Sequence, residues 1–163
     1  MAPSPKGQPL LPSVLDRLMQ PDAGTGGRGA GLREHRQREL KECIRRDLED
    51  LLNTRWRASS WPPNLDELET SLVNYGIPDF TGANLGSPTN QEEFRRVLER
   101  VIRKFEPRFK SVKVHLLKNP DPLDRALRFR IDALVHADPV PEAVIFDSEL
   151  KPLTAGFEIK GGQ

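Results

Sequence analysis

Apolar residues recur at helical spacing in two stretches of this chain. Over residues 34–53 they fall at Leu40, Cys43, Ile44, Leu48, Leu51 and Leu52, the stripe of an amphipathic helix with charged residues on its other face. Glu42 and Arg46 stand at the i,i+4 spacing that supports such a helix. The second stripe is Phe94, Val97, Leu98, Val101, Ile102 and Phe105, opened by Thr89 and Glu92. Pro107 ends it, because proline lacks an N–H and pushes its predecessor out of helical geometry. Between the two lie a loop from Trp56 stopped by Pro62-Pro63, and a short helix through Leu65, Leu68 and Leu72 with Asn64 and Glu67 as its capping pair. Residues 74–82 are turn-rich yet carry Tyr75, Ile77 and Phe80, so this loop is expected to pack onto the domain.

After Pro107 the period changes to two. Val112, Val114 and Leu116 alternate with polar neighbours, as do Leu127, Phe129, Ile131, Ala133 and Val135. Two shorter runs follow, over residues 143–147 and 154–159, and proline-rich segments at 119–122 and 138–141 read as turns. Helices first and strands afterwards predict an α+β fold, N-terminal helices packed on a mostly antiparallel sheet of about four strands. Such a sheet leaves two edges, and an open edge is a docking template.

Residues 1–31 read as a flexible arm of prolines and glycines, and residues 32–163 as a single domain. Within the arm Val14, Leu15, Leu18 and Met19 form one apolar helical turn, able to dock on its own domain or on a neighbour. Residues 24–29 spell G-x-G-x-x-G, but no strand precedes them to deliver the glycines to a helix, so they read as a linker and not as a dinucleotide site.

Composition narrows the classes. The 163 residues suffice for one compact core; 36% are hydrophobic and 30% charged, which reads as soluble and globular. No run reaches the roughly 20 apolar residues of a membrane span, and no signal-peptide core is present. The single cysteine, Cys43, excludes an internal disulfide and is expected to be a buried, inert thiol in a reducing compartment, the cytoplasm by default. The net charge of +1 hides an asymmetry: residues 91–110 hold seven basic and four acidic residues, residues 137–163 two basic and five acidic. This suits directional docking and falls short of a nucleic-acid footprint. The basic face of the second helix (Arg95, Arg96, Arg100, Arg103, Lys104) is expected to be bridged by Glu92 and Glu99 or to dock a partner.

The candidate chemistry concentrates in Phe105-Glu106-Pro107-Arg108-Phe109. Two rings facing the core would draw Glu106 and Arg108 into a partly buried junction, where charges are paired, docked on a partner, or catalytic. Sugar hydrolysis would need Glu106 as acid with Asp132 or Asp79 as its partner carboxylate. The nearby Arg108 favours the charged carboxylate, the wrong state for a general acid, and aromatics at 6% furnish a sugar cleft thinly. His35, His115 and His136 are scattered without metal-ligand spacing, the last two as surface residues of strands, and Ser59 and Ser60 lack a nucleophile-elbow motif.

The blocks Leu51-Leu52-Asn53-Thr54-Arg55, Asn74-Tyr75-Gly76-Ile77-Pro78-Asp79 and Phe105-Glu106-Pro107-Arg108, in that order and followed by an alternating strand, resemble the TssE family of type VI secretion baseplate subunits, related to the lysozyme-like wedge protein of contractile phage tails. Ser13-Val14-Leu15-Asp16-Arg17-Leu18 is similar to that family's N-terminal stretch, whereas the glycine-rich insert at 24–31 departs from it. The resemblance covers roughly residues 12–160 and implies a structural protein without catalytic residues, cofactor or metal. It further implies assembly with TssF and TssG in a wedge around the VgrG hub, and docking of the TssB–TssC sheath by an exposed edge strand; the sequence leaves open which edge, the one near the C-terminus being a candidate. Glu106, Pro107 and Arg108 match the family's Glu-Pro-Arg motif and are the implied partner-binding residues. No nucleic acid, small-molecule substrate or membrane insertion is implied. The alternative is the peptidoglycan hydrolysis that the lysozyme-like label suggests.

Overall fold

A computed structural model describes residues 18, 30–56, 64–80, 85, 87–119, 126–136, 141–151 and 156–161. Apart from Leu18, which is exposed, and Ala30 and Gly31, which open the first helix, the arm with its apolar turn and the glycine motif lie outside the described residues. So do Ser59, Ser60, Trp61 and the two prolines after it, and most of both strand-connecting turns.

Helix α1 runs Ala30–Asn53 and α2 runs Pro88–Phe105. Four strands follow: β1 (Phe109–Leu117), β2 (Leu127–Val135), β3 (Glu142–Lys151) and β4 (Gly156–Lys160). They form one antiparallel meander in the order β1-β2-β3-β4, the α+β arrangement expected from the change of period. α1 starts before the expected boundary, since one glycine in a first turn costs only about 1 kcal/mol. α2 is opened by Pro88 at its first turn after Ser87, and not by Thr89; proline suits that position because its missing N–H has no helical partner there.

Both helices cover one face of the sheet. Ile44, Leu48 and Leu52 of α1 and Phe94, Leu98 and Ile102 of α2 meet Val114, Phe129, Ile131, Phe146 and Phe157, all essentially inaccessible. Burying each such side chain contributes about 1.5–3 kcal/mol. Phe94 lies edge-on to both Phe80 and Phe129, at 4.3 and 5.7 Å between ring centroids. The strand alternation holds residue for residue: Phe129, Ile131, Ala133 and Val135 point inward, Arg130 outward. Cys43 corrects the sequence reading, for it is only half-buried at the margin of its stripe. Burial, with Asp47 beside it, still pushes its thiol pKa up.

The short helix through Leu65, Leu68 and Leu72 does not form. Two 3₁₀ turns, Asp66–Thr70 and Leu72–Asn74, stand in its place, with Leu65 and no side-chain cap where the Asn64–Glu67 pair was expected. Ser71 between them is extended; its hydroxyl bonds the Leu68 carbonyl, and the buried Asn74 amide donates to the Glu69 carbonyl. Local bonds of this kind compete with the helical ladder. Leu72 is consequently 88% exposed.

The following loop does pack as expected. Ile77 is buried and exchanges backbone bonds with Thr54 and Trp56, just beyond α1. Gly76, at φ +105°, makes that approach possible, because a Cβ there would sit 2.4 Å from the Thr54 carbonyl oxygen.

Candidate functional site: the junction of the second helix and the first strand

Glu106 caps the C-terminus of α2, its N–H donating to the Ile102 carbonyl at 2.9 Å. Pro107 then turns the chain and Arg108 leads into β1. Phe109 is buried and Phe105 packs edge-on against Tyr75. The flanking rings hold the turn down on the core, and Glu106 is only 5% exposed. Pro107 itself is exposed.

The two charges meet each other. Arg108 donates from its backbone N–H (3.2 Å) and from Nε (2.6 Å) to Glu106 Oε1, and from Nη2 to Glu106 Oε2. Nη2 also reaches Asp47 Oδ2 on α1 at 2.6 Å, bridging 61 residues of sequence. The Arg108 carbonyl accepts from the His136 N–H at the end of β2. One guanidinium thus ties α1 to the end of α2, while the backbone of the same residue is tied to β2. Burial opposes the Arg108 charge, but the bonds to Glu106 and Asp47 outweigh it and hold the guanidinium pKa above its ordinary range. Nη1 of Arg108 is buried with no acceptor among the described residues.

Of the three readings of Glu106, pairing is the one the geometry realises. Asp132, a proposed partner carboxylate, lies on the outer face of β2 at 3.4 Å from His115 Nε2, while Asp79 acts electrostatically on Arg55. His115 and His136 are at the surface, as expected. Among the described residues no three His, Cys, Asp or Glu side chains gather as a metal site. Asp47 was missed by the sequence reading: it sits beside the apolar stripe of α1 among many other charges, and only the tertiary fold singles it out.

Three of the five basic residues on the face of α2 are bridged by Glu92 and Glu99 as expected, while Lys104 reaches Glu69 instead. Glu92 takes Arg95 and Arg96, and Glu99 takes Arg95 and Arg103. The edges of the sheet differ from expectation. Outward backbone groups of β4 are bonded by Asn53 and Arg45 of α1, and those of β1 by Arg95, Glu99 and Arg103 of α2. At Phe157 and Ile159 of β4 and at Val112 and Val114 of β1 the edge is therefore closed by helix side chains.

A helix pair on a four-stranded meander, with the junction charges joined inside the fold, is the α+β class of domain that carries this site. The family model described as baseplate wedge protein gp25 matches residues 38–140, from within α1 to beyond the end of β2. The chain belongs to that family of structural baseplate components, which is where the resemblance to TssE placed it. A solved chain from "The baseplate complex from the type VI secretion system" is similar at 20% identity and a TM-score of 0.49, covering 72% of this chain and 98% of that one. No curated protein matches.

Proposed function

We propose that this chain is a structural subunit of a type VI secretion baseplate, assembling with TssF and TssG into the wedge around the VgrG hub and docking the TssB–TssC sheath. The single observation that carries the reading is the family match, which spans the whole junction. The working place of such a subunit is the cytoplasmic side of a membrane-docked baseplate. No helix among the described residues is long and apolar enough to cross a membrane.

In this reading Pro107 is the contact tip and the charges are its brace. Glu106 and Arg108, fixed to each other and to Asp47, hold the exposed proline in one orientation toward the wedge, so binding costs little conformational entropy. The same pairing supports a non-enzymatic role, because both Glu106 oxygens are engaged by Arg108. Docking of the sheath by main-chain pairing at a sheet edge requires that the side chains closing that edge move aside first.

Mixing this chain with TssF and TssG and following mass by light scattering on a sizing column tests the proposal. A stable complex containing all three is expected. Separate elution of a folded chain would overturn the wedge assignment and make clearing of peptidoglycan suspensions the next assay.

A further inference from the structure

The β4 edge is closed by a side chain that imitates a neighbouring strand. Phe157 turns its N–H and C=O away from β3. The N–H donates to Asn53 Oδ1 at 2.8 Å, and the C=O accepts from Asn53 Nδ2 at 3.0 Å. An antiparallel neighbour would bond the same residue through one C=O and one N–H, which a carboxamide reproduces in a single group. The amide orientation is forced, because the backbone offers one donor and one acceptor at fixed places. Two residues on, the Ile159 carbonyl accepts from Arg45 Nη1 at 3.1 Å, and Arg45 is itself held by Glu42 and Glu49. These bonds span more than 100 residues of sequence, so they form only when α1 is docked.

We infer that Asn53 and Arg45 together are a latch on the β4 edge, and that the partner they exclude is a second copy of this chain pairing β4 to β4. Unpaired edge groups are templates for another chain, and this strand fits itself. An antiparallel pair centred on Ile159 uses the outward groups of Ile159 in both copies and sets Glu158 of each opposite Lys160 of the other, an opposite-charge cross-strand pairing. Such a contact is isologous and closes as a two-fold dimer. The inference is independent of the baseplate assignment, since it concerns the unassembled chain alone.

The test uses the full chain carrying Arg45→Ala and Asn53→Ala together, so that the Ile159 carbonyl at the centre of the pair is freed as well, with light scattering over a range of protein concentrations and amide hydrogen exchange at Phe157. The unsubstituted chain is expected to be monomeric with a protected Phe157 amide. In the variant that amide exchanges about tenfold faster at low concentration, as loss of a hydrogen bond predicts, and the mass rises toward that of a dimer as concentration increases. Asn53→Asp beside Arg45→Ala serves if the alanine variant fails to fold: it keeps the acceptor for the Phe157 N–H and removes the donors to the Phe157 and Ile159 carbonyls. The aspartate variant is expected to keep the Phe157 amide protected and to dimerise at higher concentration than the alanine variant. A folded alanine variant that stays monomeric overturns the second copy as the excluded partner. Unchanged Phe157 exchange in that variant, or full loss of protection in the aspartate variant, overturns the latch.

Discussion

α2 carries charges in two settings. Along its outer face Glu92, Arg95, Arg96, Glu99 and Arg103 form a ladder at i,i+3 and i,i+4 spacing, with the Glu92 side chain 43% and the Arg96 side chain 68% exposed. At its C-terminus Glu106 and Arg108 pair with side chains 6% and 18% exposed, and Arg108 continues to Asp47. The residue types match, but the surroundings differ. Water and salt screen the outer pairs of the ladder, Glu92–Arg96 and Glu99–Arg103, and weaken them, while Arg95 and Glu99 between them also reach the Val114 backbone. At the junction the Glu106 carboxylate, 6% exposed, has little solvent to replace a lost partner, and removing that partner costs several-fold more. The same composition thus yields a solvated face in one place and a structural brace in the other.

Removing Glu106 is the strongest way to break this comparison. Glu106→Ala is expected to cost about 3 kcal/mol, the low end for a broken buried pair because Asp47 still holds Arg108. That corresponds to a fall in melting temperature of roughly 6–12 °C for a chain of this size. An unchanged melting temperature would mean that the junction charges contribute nothing to the fold. Arg108→Lys sharpens the point: a lysine keeps the charge but cannot fork to Glu106 and Asp47 together. It is expected to cost about 1–2 kcal/mol in urea unfolding, and full stability would show that charge alone suffices.

On the ladder, Arg96→Ala is expected to shift stability by no more than about 0.5 kcal/mol, and by less in high salt. A loss rivalling that of Glu106→Ala would erase the distinction. The smallest effect is a pH response. The hydrogen bond from Arg95, joined by Arg96, draws the Glu92 pKa from 4.5 down to about 2. A carboxylate depressed in the folded state adds stability that is fully present above its ordinary value and drains as pH falls from about 4.5 through about 2. Comparing Glu92→Gln with the unsubstituted chain, the stability difference should vanish across that acid window. A difference that persisted at the acid end would assign the effect to something other than the charge.

Much of this was legible in the sequence wherever a local rule met no competitor. The stripe from Phe94 to Phe105 and the alternation of β2 were readable because helical and strand periods impose one face each. Pro107 between two phenylalanines marked the junction and its burial. Leu65 and Leu72 misled because Ser71 and Asn74 bond nearby carbonyls and break the helix that their spacing implies. Asp47 and Asn53 were invisible for a different reason. Their partners lie 61 and 104 residues away, and nothing in their own neighbourhood separates them from other polar residues on the same helix.

The most direct test of the central claim, that the junction charges brace the fold from inside, is a double-mutant cycle. Glu106→Ala, Arg108→Ala and the double variant would be unfolded in urea at low salt and at about 1 M salt, where the screening length is only about 3 Å. The account predicts a Glu106–Arg108 coupling of about 2–3 kcal/mol that survives the added salt. A coupling below about 0.5 kcal/mol, or one that disappears in salt, would place these two charges with the exposed ladder and contradict it.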